Sequence, residues 1–157
     1  MLPSPGSPAP GFSLPDQDGR VHSLKDYARK WLLIYFYPND DTPTCTTEAC
    51  AIRDRWAEFA EAGLEVVGIS ANGIKSHAKF ARKYDLPFTL LADDELKAVN
   101  MYGVWQEKKF MGRTFMGTVR ASFLIDPNGK IAKVYEKVRA AGHAKEVLGD
   151  FLRIKGA

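Results

Sequence analysis

The seven-residue run at positions 31–37, WLLIYFY, constrains the fold of this chain more than any other segment. A strand with one buried face alternates apolar and polar residues, whereas this run is apolar or aromatic at every position. It is far shorter than the roughly 20 residues that a membrane-spanning helix requires. The run therefore predicts a central β-strand that is covered by helices on both faces.

Further strand and helix patterns follow this run in alternation. Helical spacing of apolar residues predicts one helix with a stripe that begins at Ala49 and an end at Gly63. Two more helices are predicted at residues 75–84 and 143–154. The turn sequence at 126–129 is too short for a crossover, so the last two strands are predicted to be antiparallel. The other predicted strands are residues 64–70, 88–91 and 119–126.

These elements predict an α/β protein with a thioredoxin-like fold, in which helices flank a mixed central sheet. Residues 12–14 and 21–24 predict a short N-terminal hairpin as an extension of that fold. Four prolines among the first ten residues predict an extended arm over residues 1–10. Because 157 residues fit one domain, we expect a single domain over residues 1–157.

The charge balance gives no indication of a strongly basic surface that would bind nucleic acid. The chain has 22 Lys and Arg against 19 Asp and Glu, a net charge of +3, which is too small to indicate nucleic-acid binding. The first residues have neither a basic end nor an apolar stretch, so we expect no signal peptide and a cytoplasmic protein.

Two cysteines, Cys45 and Cys50, follow the predicted central strand at the start of the next helix. Ligands of open α/β sheets bind beyond the carboxyl ends of strands, so this position marks a candidate site. With Thr42 or Thr44 as the helix cap, Cys45 falls in the first helical turn. Unpaired backbone N–H groups and the helix dipole favour negative charge there, and the thiolate is the nucleophilic form of cysteine.

The spacing of the two cysteines has a geometric consequence. Residues five apart on a regular helix have Cα atoms about 8 to 9 Å apart, whereas disulfides rarely form beyond about 7 Å. Cys50 is predicted on a solvated face of the helix, which is unusual for cysteine. We therefore expect that a bond between Cys45 and Cys50 requires the first turns of the helix to unwind.

The residues alone leave less specific interpretations open. Two inert thiols are more common than a catalytic pair, and Arg120 is typical of a surface residue at a strand end. A metal site is not predicted, because Cys-x4-Cys lacks two further ligands and the three histidines are dispersed. The Asp pairs at 40–41 and 93–94 are typical of turns.

The segment YFYPNDDTPTCTTEAC at residues 35–50 closely resembles the active site of the peroxiredoxin Q family, also called bacterioferritin comigratory proteins. Its core, Pro38-x3-Thr42-x2-Cys45, matches the general peroxiredoxin motif. Thr44 departs from the family, which usually has glycine there. The resemblance extends over nearly the whole chain, through residues 9–19, 102–117 and 120–126.

The resemblance implies an atypical 2-Cys peroxiredoxin, a peroxidase for hydrogen peroxide and organic hydroperoxides. Cys45 is the implied peroxidatic cysteine, which forms a sulfenic acid, and Cys50 the resolving cysteine, which forms an intramolecular disulfide with it. Thioredoxin or a similar dithiol protein is the implied reductant. The family resemblance also implies a monomer that needs no metal, haem, flavin or nucleotide cofactor.

Four further residues take implied roles from the same resemblance. Thr42 hydrogen-bonds the thiolate or the peroxide, and Arg120 stabilises the thiolate and the charge that develops on the oxygens. Pro38 shields the pocket from solvent, and Glu48 orients arginine side chains. Two other functions remain as alternatives: a protein thiol–disulfide oxidoreductase, and a non-catalytic module that binds partners or acts as a redox-gated holdase.

A group of interleaved basic and apolar residues lies near residue 110. We expect a solvated loop whose aromatic side chains pack beside the pocket, where an apolar collar favours alkyl hydroperoxides. Neither nucleic acid nor a membrane is an expected partner of this group, which consists of Lys108, Lys109, Phe110, Arg113, Phe115 and Met116.

Overall fold

The computed structural model describes residues 2–156, which form nine strands and five α-helices. The strands are β1 (Ser13–Pro15), β2 (Val21–Ser23), β3 (Trp31–Phe36), β4 (Leu64–Ser70), β5 (Thr89–Ala92), β6 (Trp105–Phe110), β7 (Arg113–Thr118), β8 (Ala121–Ile125) and β9 (Ile131–Tyr135). The helices are α1 (Pro43–Asp54), α2 (Trp56–Ala62), α3 (Ile74–Lys83), α4 (Lys97–Met101) and α5 (His143–Gly156).

Five strands form the central sheet in the order β5-β4-β3-β8-β9. Strand β3 lies in the middle, parallel to β4 and antiparallel to β8, with Phe36 opposite Ala121. Strand β5 is parallel to β4, and β9 is antiparallel to β8. The predicted mixed sheet and antiparallel last pair are therefore confirmed. Since β8 begins where β3 ends, the residue before β8 lies at the same sheet edge as the loop after β3.

Alternate side chains of β3 enter two hydrophobic layers, one on each side of the sheet. Leu33 and Tyr35 pack with residues of α1, α2, α3 and α5. Leu32, Ile34 and Phe36 pack on the other side with residues of α4 and of the N-terminal segment. The prediction of a strand buried on both faces is confirmed. The second face, however, is covered by the N-terminal segment and the five-residue α4, not by a long helix.

The helix predicted to end at Gly63 is two helices, α1 and α2, which are separated at Arg55. Arg55 has φ −109° and ψ 16°, so the helical backbone is interrupted there. Gly63 ends α2 with a φ of 81°, a left-handed value that favours glycine. The other two predicted helices are confirmed as α3 and α5. No helix of the described residues is long and apolar enough to span a membrane.

The N-terminal hairpin is confirmed as β1 paired antiparallel with β2. The arm before it is less extended than predicted, because the Ser7 N–H donates to the Ser4 carbonyl and closes a turn. Gly6 permits this turn with a φ of 89°. Pro8 then forms a bridge to Lys130, so the arm is fixed to the turn between β8 and β9. Met1 lies outside the described residues.

The loop expected near residue 110 is instead a hairpin of β6 and β7. Its turn residues, Met111 and Gly112, have φ values of 52° and 78°, the positive values of tight hairpin turns. Phe110, Phe115 and Met116 are 68%, 46% and 52% exposed, so they are solvated as expected, and their packing beside a pocket stays a prediction. The strands escaped prediction because neither face of this hairpin is continuously apolar.

Candidate active site

Helix α1 begins at Pro43 and carries Cys45 in its first turn, as predicted. Proline suits a first helical position, because the N–H that it lacks has no helical partner there. Thr42 occupies the cap position in an extended conformation, but its hydroxyl donates to the Asn39 carbonyl at 3.1 Å and does not cap the helix. Cys45 is 2% exposed, so its thiol lies buried at the positive end of the helix dipole.

Arg120 lies just before β8 and connects the thiol to a buried carboxyl group. Its Nη2 donates to Cys45 Sγ at 3.3 Å, and its Nη1 donates to Glu48 Oε1 at 2.6 Å. Glu48 follows Cys45 by three residues on α1, so both side chains lie on the same side of the helix. The planar guanidinium holds both groups at once, which a lysine ammonium does not reproduce. The structure thus brings together three of the predicted site residues.

Burial controls the electrostatics of this cluster. Glu48 is fully buried, and desolvation raises its pKa to about 7 despite the opposing charge of Arg120. Within residues 2–156 its Oε2 atom has no hydrogen-bond partner. Burial acts to lower the pKa of Arg120, but Glu48 and Cys45 outweigh it and the pKa is raised. The guanidinium therefore stays charged beside the thiol.

Lys108 of β6 is a second cation near this cluster. Its Nζ donates to the Thr118 carbonyl at 3.0 Å, two residues before Arg120. Partial burial lowers the pKa of Lys108, and the charge of Arg120 lowers it further. This contact depends on the register of the β6–β7 hairpin, which the sequence did not predict. The sequence analysis therefore placed Lys108 only in the solvated group near residue 110.

Cys50 lies on the same helix as Cys45, and both thiols are free. Helix α1 is continuous from Pro43 to Asp54, so the two Cα atoms are about 8 to 9 Å apart. Cys50 is partly buried, less exposed than the solvated face predicted for it. Helix α1 is intact in the reduced protein, so we still expect that a disulfide between the two cysteines requires α1 to unwind.

Comparisons with known proteins identify the family of this chain. Residues 5–134 match the model of the AhpC/TSA family. Peroxiredoxin Bcp of Escherichia coli strain K12 is 46% identical over 143 residues, which cover 91% of this chain and 92% of that protein. The chain belongs to the peroxiredoxin family. Peroxiredoxin Bcp of Bacillus subtilis strain 168 is 43% identical over 143 residues, with 91% of each chain covered.

Solved structures give the same result for the fold. A structure of Xanthomonas campestris peroxiredoxin Q has a TM-score of 0.87 at 34% identity, covering 98% of this chain and 96% of that one. A structure concerned with alkyl peroxide reduction by the bacterioferritin comigratory protein of that organism has a TM-score of 0.88 at 33% identity, with 98% of each chain covered. The family resemblance and the thioredoxin-like fold are confirmed. As a peroxiredoxin, the protein is a thiol peroxidase with a hydroperoxide substrate and a reductant.

Two predicted site residues of this peroxiredoxin lie in the loop between β3 and α1. Pro38 is half-buried one residue beyond Tyr37. The Thr42 hydroxyl bonds the Asn39 carbonyl in the reduced protein, so its bond to a thiolate or peroxide stays a prediction. The shielding role of Pro38 also stays a prediction.

Asp40, in the same loop of the peroxiredoxin, makes buried polar contacts that the sequence analysis missed. Asp40 accepts hydrogen bonds from the hydroxyls of Tyr37 and Ser76, and its Oδ2 lies 2.7 Å from His77 Nδ1. The sequence placed Asp40 in a turn and His77 apart from any site. Local patterns give no signal for this contact, because the two residues are 37 positions apart.

Metal ligation has no candidate in the described part of this peroxiredoxin. Among residues 2–156, no three or more His, Cys, Asp or Glu side chains are grouped so that they could hold a metal ion. Asp93 accepts hydrogen bonds from the backbone N–H groups of Lys97 and Val99 and so starts α4. This contact agrees with the turn predicted for the Asp93–Asp94 pair.

Proposed function

We propose that this peroxiredoxin reduces hydrogen peroxide and organic hydroperoxides with Cys45 as its peroxidatic cysteine. The 3.3 Å contact between Arg120 Nη2 and Cys45 Sγ supports the proposal most directly, because it places a fixed cation beside a buried thiol. The thiolate attacks one peroxide oxygen, so that an S–O bond forms while the O–O bond breaks. Cys45 becomes a sulfenic acid, and the other oxygen takes up the proton that the thiol released and leaves as water or an alcohol.

The neighbouring residues supply electrostatic stabilisation in this proposal. Arg120 stabilises the thiolate and the negative charge that develops on the departing oxygen, usually the largest catalytic effect in such a site. Glu48 orients the guanidinium through Nη1 and leaves Nη2 for sulfur and peroxide. Thr42 exchanges its bond to Asn39 for one to the peroxide, and Pro38 keeps water from the thiolate.

Cys50 is the resolving cysteine in this proposal. Its thiolate attacks the sulfenic sulfur of Cys45, an S–S bond forms, and the sulfenic oxygen leaves as water. The first turns of α1 unwind to bring the sulfurs together. Thioredoxin then reduces the disulfide by thiol exchange, and no metal, haem, flavin or nucleotide cofactor takes part. A monomeric state and a cytoplasmic location remain predictions.

The order of these steps is tested by Cys50→Ser. The variant keeps the Cys45 site intact, so we expect it to reduce one equivalent of hydrogen peroxide and then stop as a sulfenic acid. Mass spectrometry after a sulfenic-acid trap measures the product. Wild type treated in the same way should lose two hydrogens and gain no oxygen. If Cys50→Ser loses the first equivalent as well, the resolving role is incorrect.

The buried carboxyl of Glu48 is expected to make stability depend on pH. Its pKa is about 7 in the folded protein against an ordinary value of 4.5. The folded state therefore binds a proton more tightly, and the stability that this group contributes is complete below pH 4.5 and is lost as pH rises through 7. Between pH 5 and 8, we expect the free energy of unfolding to fall by about 2 kcal/mol more in wild type than in Glu48→Gln.

Urea unfolding at both pH values measures this difference. Glu48→Gln is the matched control for wild type, because it keeps the size and the polarity of the side chain but does not titrate. Parallel pH profiles in the two proteins would show that the carboxyl does not bind its proton in this range.

A further inference from the structure

A buried polar cluster connects α3 to the loop that leads to Cys45, and it has no part in the chemistry described above. The His77 side chain is fully buried and that of Asp40 is 3% exposed, with 2.7 Å between Nδ1 and Oδ2. Asp40 Oδ1 accepts the Tyr37 hydroxyl at 2.6 Å, and Oδ2 also accepts the Ser76 hydroxyl at 2.7 Å. On the far side of the ring, His77 Nε2 lies 2.8 Å from the Leu91 carbonyl.

Donor and acceptor chemistry sets the charge of this cluster. Burial, together with the neighbouring Tyr35 and Asp40, raises the pKa of Tyr37, so its hydroxyl remains a donor. Asp40 Oδ2 faces both the Ser76 hydroxyl and His77 Nδ1, so the 2.7 Å contact with Nδ1 needs one proton between the two atoms. The Leu91 carbonyl can only accept. His77 Nε2 therefore donates to Leu91, and with the shared proton on Nδ1 the side chain is an imidazolium that also donates to Asp40.

Three further hydrogen bonds hold the same loop. The Asp40 N–H donates to Asn72 Oδ1 at 3.0 Å, and Asn72 Nδ2 donates to Asn39 Oδ1 at 3.1 Å. Asp41 has a φ of 55°, a left-handed value that persists only where surrounding contacts enforce it. Its Oδ1 accepts the Tyr84 hydroxyl at 2.7 Å. The His77–Asp40 pair is thus the buried part of a larger set of contacts that hold this loop.

We propose that His77 is a positioning residue for peroxide reduction. As an imidazolium it donates to Asp40 and holds that residue in place, so that α1 starts where Cys45 contacts Arg120. Helix α1 begins only three residues after Asp40. A displacement of Asp40 is therefore passed to Pro43 and to the Cys45 thiol, which depends on a single 3.3 Å contact with Arg120. The inference rests on the proposed role of Cys45.

Two substitutions separate the contacts of the two ring nitrogens. His77→Asn places an amide nitrogen close to the position of Nδ1, where it can still donate to Asp40. His77→Gln reaches towards the position of Nε2 and donates to the Leu91 carbonyl instead. Asparagine leaves the larger cavity, so a merely structural role predicts greater losses in His77→Asn. The positioning role predicts the opposite order for the reaction of Cys45.

Stopped-flow oxidation with hydrogen peroxide in a Cys50→Ser background measures that reaction without the disulfide step. We expect the second-order rate constant to fall about tenfold in His77→Gln and no more than about threefold in His77→Asn, the effect of one lost hydrogen bond to a charged group. Lys79→Ala, an exposed change on the same helix, should keep the parent rate. An unchanged rate in His77→Gln, or a lower rate in His77→Asn than in His77→Gln, overturns the proposal.

Nitrogen-15 spectra of wild type test the charge state without any variant. Both ring nitrogens of His77 should carry a proton at neutral pH, and one unprotonated nitrogen would overturn the imidazolium assignment. Failure of the proposed role of Cys45 can be distinguished from failure of the role of His77. If Cys50→Ser itself reacts no faster than Cys45→Ser, the role of Cys45 fails and this inference fails with it. If Cys50→Ser reacts rapidly and His77→Gln matches it, only the role of His77 is rejected.

Discussion

Replacement of Cys45 by serine is expected to abolish peroxide consumption, with a fall in rate of at least about a thousandfold. A serine hydroxyl stays protonated at neutral pH and is a far weaker nucleophile than a thiolate. The smaller polar atom fits the same buried position at the start of α1, so the fold should be kept. NADPH oxidation coupled through thioredoxin reductase and thioredoxin measures the loss.

Circular dichroism of Cys45→Ser provides the folding control. Cys50→Ser provides the matched cysteine change on the same helix in a single-turnover assay, where it should still reduce one equivalent of hydrogen peroxide. Equal, slow peroxide consumption by wild type and Cys45→Ser would reject Cys45 as the peroxidatic residue. If wild type then still exchanged disulfides with a protein substrate, the alternative of a protein thiol–disulfide oxidoreductase would gain support. Activity with a chemical dithiol but not with thioredoxin would retain the peroxidase and reject only the reductant.

Replacement of Arg120 by glutamine is expected to lower the second-order rate constant for Cys45 oxidation by about a hundredfold to a thousandfold. The variant removes the cation that contacts Sγ and also leaves Glu48 as an unpaired buried carboxyl. The double variant Arg120→Gln/Glu48→Gln removes that second effect, since no unpaired carboxyl remains. It should be as slow as the single variant while recovering stability.

An exposed arginine supplies the matched control for this experiment. Arg113 lies at the start of β7 and is exposed, so Arg113→Gln changes the net charge equally at a distance from the thiol. Its rate constant should stay within about twofold of wild type. If Arg113→Gln slows the reaction as much as Arg120→Gln, the effect comes from overall charge and not from the contact with sulfur.

Sequence patterns predicted the structure correctly where buried residues recur at regular spacing along one strand or helix. The apolar run of β3 predicted the centre of the sheet, and the position of Cys45 after that strand predicted a thiol in the first turn of a helix. The break at Arg55 and the exposed β6–β7 hairpin left no such pattern, since one depends on backbone angles and the other has no buried face. Both were visible only in the structure.

The residues around the thiol also differ in whether they could be named before the structure was known. Glu48 and Arg120 were named only through the family resemblance, because an arginine 75 positions from the cysteine has no local signal. The structure supplies the reason that they meet: β8 begins beside the end of β3. Asp40 and His77 follow no motif that we recognised, and their contact depends on how α3 packs against the loop.

Helix α1 carries Cys45, Glu48 and Cys50 within two turns, and this arrangement has a consequence for throughput. In the proposed cycle, the unwinding that joins the two sulfurs also withdraws Glu48 from Arg120 and dismantles the peroxide site. An oxidised molecule is therefore refractory to a second peroxide until a reductant restores the helix. Under heavy peroxide load, the steady-state rate is then limited by the supply of reductant, and the idle molecules are held as disulfides, protected from further oxidation of sulfur.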